Sequence, residues 1–84
     1  MAERSEIGKI THYYSKIGVA VVALSAKLKV GDEIEVVGGS ESFKQRVESL
    51  QINHKNVDSC ERGQEVGLKL DGAAKEGDIV YKVS

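Results

Sequence analysis

The 84-residue chain has no proline, no tryptophan, one cysteine and one methionine, and only 5% of its residues are aromatic. Each shortage excludes something. A lone cysteine, Cys60, cannot form an internal disulfide or build a cysteine-rich zinc site, which fits a reducing, cytoplasmic setting. The opening residues 1–6 carry acids and no apolar stretch of the secretory kind, and no apolar run approaches the roughly 20 residues of a membrane span. Charge of one sign is not in excess either. Twelve basic against 13 acidic side chains give a net charge of -1, which excludes a uniformly basic nucleic-acid binder. With 40% hydrophobic and 30% charged residues the composition is that of a globular domain and not of a disordered chain. The reading is one domain over residues 7–84 behind a short polar lead, residues 1–6.

What the chain does have is glycine, nine of them, set between short β-branched runs. That pattern predicts an all-β fold with tight corners. Ile7–Tyr14 and Val19–Leu24 read as an opening hairpin joined by Ser15-Lys16-Ile17-Gly18, where Gly18 can take positive φ. The second strand is apolar on both pleat faces, so it must be covered twice or abut a partner. Glu33 to Val37 alternates, with Ile34 and Val36 on one face and the glutamates on the other. Val66, Leu68 and Leu70 repeat with period two, as do Ile79, Tyr81 and Val83. Between them, Phe43, Val47 and Leu50 recur at helical spacing behind Ser40 or Ser42 as a cap. The same stretch to Ile52 also fits a strand bulged near Glu48-Ser49.

One local pattern recurs: Val30-Gly31-Asp32, Arg62-Gly63-Gln64 and Glu76-Gly77-Asp78 each precede a β-branched run. Gly31, Gly63 and Gly77 supply the unusual dihedral, and the following Asp or Gln can hydrogen-bond the turn backbone. With these corners in order, the chain resembles the second domain of the translational GTPases, the β-barrel of elongation factor Tu and its relatives. The resemblance runs from Ile7 to Val83. It rests on Ile7-Gly8-Lys9-Ile10, on Leu28 to Gly38, on Arg62 to Leu68 and on Lys75 to Val80. It implies a small antiparallel barrel of six strands, closed or partly open. A barrel of this type is also an accessory domain of RNA-handling proteins, including a collagenase-like peptidase family linked to tRNA modification. No Gly-x-x-x-x-Gly-Lys-Ser/Thr loop is present, so the chain is not expected to bind GTP. The two family residues that meet the aminoacyl end of tRNA correspond to Gln51 and Glu65 here. Both depart from the family's residues, so that pocket is not carried across.

Between Ile7 and Gly31 there is no acidic residue, while Lys9, Lys16, Lys27 and Lys29 fall there with His12, Tyr13 and Tyr14. Lysines neutralise phosphates and tyrosines stack on bases, so this block is a candidate RNA or partner contact. The plainer role is edge lysines that block aggregation, with one tyrosine filling the core. Adjacent tyrosines on a strand point to opposite faces, so one of the two is exposed. Arg46 is a further candidate, sharing a face with Lys44 and able to fork onto a phosphate. His12, His54 and Cys60 lack the paired spacing of metal ligands, and Cys60 reads as a loop residue. No metal, cofactor or catalytic residue is expected. The expectation is therefore a non-catalytic module binding tRNA, rRNA or a ribosome-associated partner, with no membrane contact. The alternative is an interaction adaptor that supplies a barrel in trans to a separately encoded RNA-modifying or peptidase-like enzyme.

Overall fold

The computed structural model describes residues 4–38, 41–53 and 55–83. Residues 1–3, Ser40 and His54, which enter the reading above, lie outside them. The described residues form ten strands and no helix. These are β1 (Arg4–Tyr14), β2 (Val19–Leu24), β3 (Leu28–Lys29), β4 (Glu33–Gly38), β5 (Glu41–Arg46), β6 (Leu50–Ile52), β7 (Lys55–Val57), β8 (Ser59–Cys60), β9 (Glu65–Lys69) and β10 (Ile79–Val83). Every pairing is antiparallel. Eight strands make one sheet in the order β5-β4-β10-β1-β2-β9-β6-β7, and β3 pairs with β8 separately.

The all-β expectation holds; of the six-stranded barrel, expected closed or partly open, the strand number is ten and closure is not found among the described residues. Among the described residues no ladder joins β5 to β7, the two ends of the sheet. The edge of β5 is instead tied to the end of β9 by one side chain. Gln45 donates to the Lys69 carbonyl at 2.9 Å and accepts from the Asp71 N–H at 2.7 Å. The Phe43–Ile52 stretch is neither a helix nor one bulged strand. It is β5, a break at residues 47–49, and then β6 in another part of the sheet beside β9. The break follows from Val47, whose N–H and C=O are taken by the Asp32 carbonyl and the Gly31 N–H.

The three glycine corners are one device used three times. In each, the fourth residue's N–H meets the first residue's carbonyl, and its side chain accepts the first residue's N–H. The pairs are Lys29/Asp32, Glu61/Gln64 and Lys75/Asp78. The third residue takes positive φ, 98° at Gly31, 90° at Gly63 and 94° at Gly77, as a type II turn requires. Each corner then clasps one buried residue elsewhere in the chain by both of its backbone groups. Gly31 and Asp32 hold Val47, Gly63 and Gln64 hold Leu24, and Gly77 and Asp78 hold Ile10, all at 2.8–2.9 Å.

Strand β1 is bent by two bulges. The first, between Glu6 and Gly8, turns both Ile7 and Gly8 inward, and the second, between Ile10 and His12, leaves Thr11 unpaired. The second bulge reverses the parity of the strand, so that Ile10 and Tyr13 both face the core. Inside lie Ala20, Val22 and Leu24 of β2 with Ile34, Val36, Val66, Leu68 and Val80. In β10 the inward residue is Val80. The period-two set Ile79, Tyr81 and Val83 lies on the outer, half-buried face. Cys60 is not a loop residue: it sits in β8 opposite Leu28, fully buried.

Candidate functional site

The cross-strand register places three columns of side chains on the outer face of β1, β2 and β9. The middle column is Val19, Val21 and Ala23, all half-buried. Tyr14, His12 and Lys9 of β1 stand opposite them in that order on one side, and Lys69, Gly67 and Glu65 of β9 on the other. Beyond Gly67 the next residue across is Gln51 of β6, whose amide donates to Asn56 at 3.1 Å. At the hairpin tip Ile17 is 63% exposed and Tyr14 48%, which extends the apolar surface past the end of the sheet. The His12 and Tyr14 rings lie 4.4 Å apart, and His12 Nδ1 is 3.3 Å from the Glu76 carboxylate. An apolar strip with a polar, mixed-charge border is the anatomy of a protein interface.

The other named residues do not gather there. Tyr13 turns inward against the core while Tyr14 is exposed, as adjacent strand residues must. Lys16 lies at the hairpin tip, whereas Lys27 and Lys29 follow the far end of the 6-residue β2, about 20 Å away by strand rise. The acid-free block is therefore not one patch. Arg46 lies opposite Glu33, and Lys44 opposite Glu35. With Glu33, Gln45 and Glu48 these cations line an open hollow of about 460 Å³ whose charges cancel. Among the described residues no group of three or more His, Cys, Asp and Glu could hold a metal ion. Burial pushes the Cys60 thiol above its ordinary pKa, and the neighbouring Glu61 charge adds to this, so it is not an activated nucleophile. Among the described residues no helix is long and apolar enough to cross a membrane.

Residue-by-residue reading flagged the double apolarity of Val19–Leu24 but missed Gly67 and Lys69 as part of the same surface. The available signal was a glycine at the outward position between inward Val66 and Leu68, which in a strand marks a bulge or a close approach by something else.

The model of the Peptidase family U32 C-terminal domain matches residues 3–80. An uncharacterized protease of Methanocaldococcus jannaschii is 42% identical over 77 residues, 90% of this chain and 19% of that protein. The chain thus spans about a fifth of the length of this curated relative. Two crystal structures of the C-terminal domain of a Geobacillus thermoleovorans protein described as a U32 peptidase, one a selenomethionine variant, have the same fold. Each superposes with a TM-score of 0.85, at 23% and 24% identity, over 90% of this chain and 96% and 89% of theirs. These findings overturn the translation-factor resemblance and the tRNA, rRNA and ribosome roles drawn from it. The glycine corners that carried it are turn chemistry, which any sheet bent in the same way reuses. By the match over residues 3–80, the chain belongs to the family of U32 peptidase C-terminal domains.

Proposed function

We propose that this domain is a non-catalytic docking module that serves a peptidase-like catalytic unit of the U32 family, in the cytoplasm. The observation that carries the reading is the outer face of β2. Val19, Val21 and Ala23 are as apolar as the core residues between them, yet they stay half-buried where Ala20, Val22 and Leu24 are buried. A solvent-facing sheet strand ordinarily alternates with polar residues, so a strand apolar on both faces suits one that is covered on association. The match to a protein whose greater part lies outside the shared segment supplies the class of partner.

The test is calorimetric titration of this chain into a U32 catalytic unit deprived of its own C-terminal domain, at low and high salt. Binding should occur and persist at high salt, because apolar burial is not screened. Replacing Val21 with lysine should weaken it about tenfold or more, since the ammonium would be buried without a partner. Failure of the parent chain to bind at either salt concentration would sink the proposal.

A further inference from the structure

We infer that the outer face holds a socket over Gly67 that takes one apolar side chain from a segment of the catalytic unit, with carboxylates of that segment meeting Lys9 and Lys69. This rests on the docking reading above and names the chemistry of its partner. Each other described glycine has a structural reason to lack a side chain. Gly18, Gly31, Gly63 and Gly77 take positive φ. A Cβ on Gly8 would lie 2.5 Å from the Val22 side chain, one on Gly38 would run into the Asp78 carboxylate, and one on Gly72 would press on the Phe43 ring at 3.0 Å. Gly67 alone among them has neither reason. Its φ is ordinary, and a Cβ would rest 3.6 Å from Val19 and 3.7 Å from Gln51, in normal contact. Glycine inside a strand weakens it, so a glycine that packing does not require points to a space used by something else.

The space has defined walls. Val19 and Gln51 flank it, Val21 stands opposite, and the Gln51 amide is turned to Asn56 and so does not fill it. Aliphatic walls over a backbone floor suit an apolar group, while a charge there would lose water without a partner. Lys9 and Lys69 stand at opposite corners of the nine-residue face and Glu65 at a third. The complementary segment therefore carries carboxylates on one diagonal, which sets its orientation.

The test uses the whole chain and the same catalytic unit. Gly67→Val should weaken binding about tenfold or more, as filling a central socket does, while the thermal midpoint holds or rises. Lys69→Glu should slow association and leave dissociation nearly unchanged. Parent-like binding by Gly67→Val overturns the socket and leaves the docking reading standing, whereas no binding by the parent chain removes both. An unchanged association rate in Lys69→Glu overturns the carboxylate assignment. Self-association of the parent chain that Gly67→Val abolishes would put a second copy in the socket and overturn the assignment to a catalytic-unit segment.

Discussion

The two faces of β2 are built from the same residue types and have opposite fates. Ala20, Val22 and Leu24 point inward and are 0–5% exposed, against Ile10, Val66 and Leu68. Val19, Val21 and Ala23 point outward and stay half-buried, among His12, Gly67 and the lysines. The strand's composition does not distinguish the faces; what lies across from each does. The glycines flanking β2 repeat the contrast. Gly8 faces the core, where Val22 occupies the place of its missing side chain, while Gly67 faces outward and its place is empty. One face is buried in the fold's own core, and the other is the face proposed above for docking.

The largest expected effect breaks the inner half of that contrast. Gly8→Ala sets a Cβ 2.5 Å from a stiff β-branched side chain and 2.9 Å from the Ala23 carbonyl, neither of which can yield cheaply. Overpacking of this kind should cost about 3 kcal/mol and lower the thermal midpoint by about 12 °C or more, read by circular dichroism. A midpoint within a degree or two of the parent's would mean that the bend at the first bulge is soft. Next comes a matched pair on β2 itself. Val22→Ala should cost about 2 kcal/mol through the cavity it leaves, and Val21→Thr should stay within about 0.5 kcal/mol. Equal losses in urea titrations would show that the outer face is part of the fold's own core and not a surface.

Much of the inner architecture was legible because it is local chemistry. The hairpin Val19 half, the alternation of Glu33 to Val37 and the three Gly-Asp or Gly-Gln corners each follow from backbone preference and period within a few residues, and each stands where the sequence places it. What was not legible depends on distant partners. Thr11 becomes a bulge only because Ile10 is clasped by Gly77 and Asp78, and that reverses the parity of Tyr13 and Tyr14. Likewise, Phe43–Ile52 breaks in two because Val47 is clasped by Gly31 and Asp32. The same corners explain the misleading resemblance: type II turns with Gly at the third position are turn chemistry open to many β folds, so they did not single out one family. Of the outer face, the double apolarity of β2 was visible in sequence. The empty place at Gly67 was not, because it needs the Val21 and Gln51 neighbours to become a socket.

A smaller effect reports on the inner side through pH. Burial and the Glu61 charge hold the Cys60 thiol above its ordinary pKa in the folded chain. Between the unfolded and folded values the native state binds more protons, so stability falls as pH rises. This contribution is fully present below the unfolded value of about 8.5 and is lost progressively above it. Urea midpoints measured across that range should fall for the parent chain more steeply than for Cys60→Ala. Parallel slopes would mean that water reaches the thiol beside Leu28.

The smallest expected effect has the opposite sign and tests the outer half of the contrast. At Gly67 an added methyl meets Val19 and Gln51 at ordinary contact distance and asks for no unusual dihedral, so nothing in the fold resists it. Alanine also restricts the unfolded chain more than glycine does, and the native conformation need not change to accept it. Gly67→Ala should therefore raise stability by about 0.5 kcal/mol, a gain of a few degrees in the thermal midpoint. A loss in place of that gain would mean the strand needs glycine there for its own packing, and the socket would have to be abandoned. With the gain observed, a residue that makes this domain less stable than it could be is left with a role outside the fold, and the difference between Gly8 and Gly67 becomes one of purpose as well as of place.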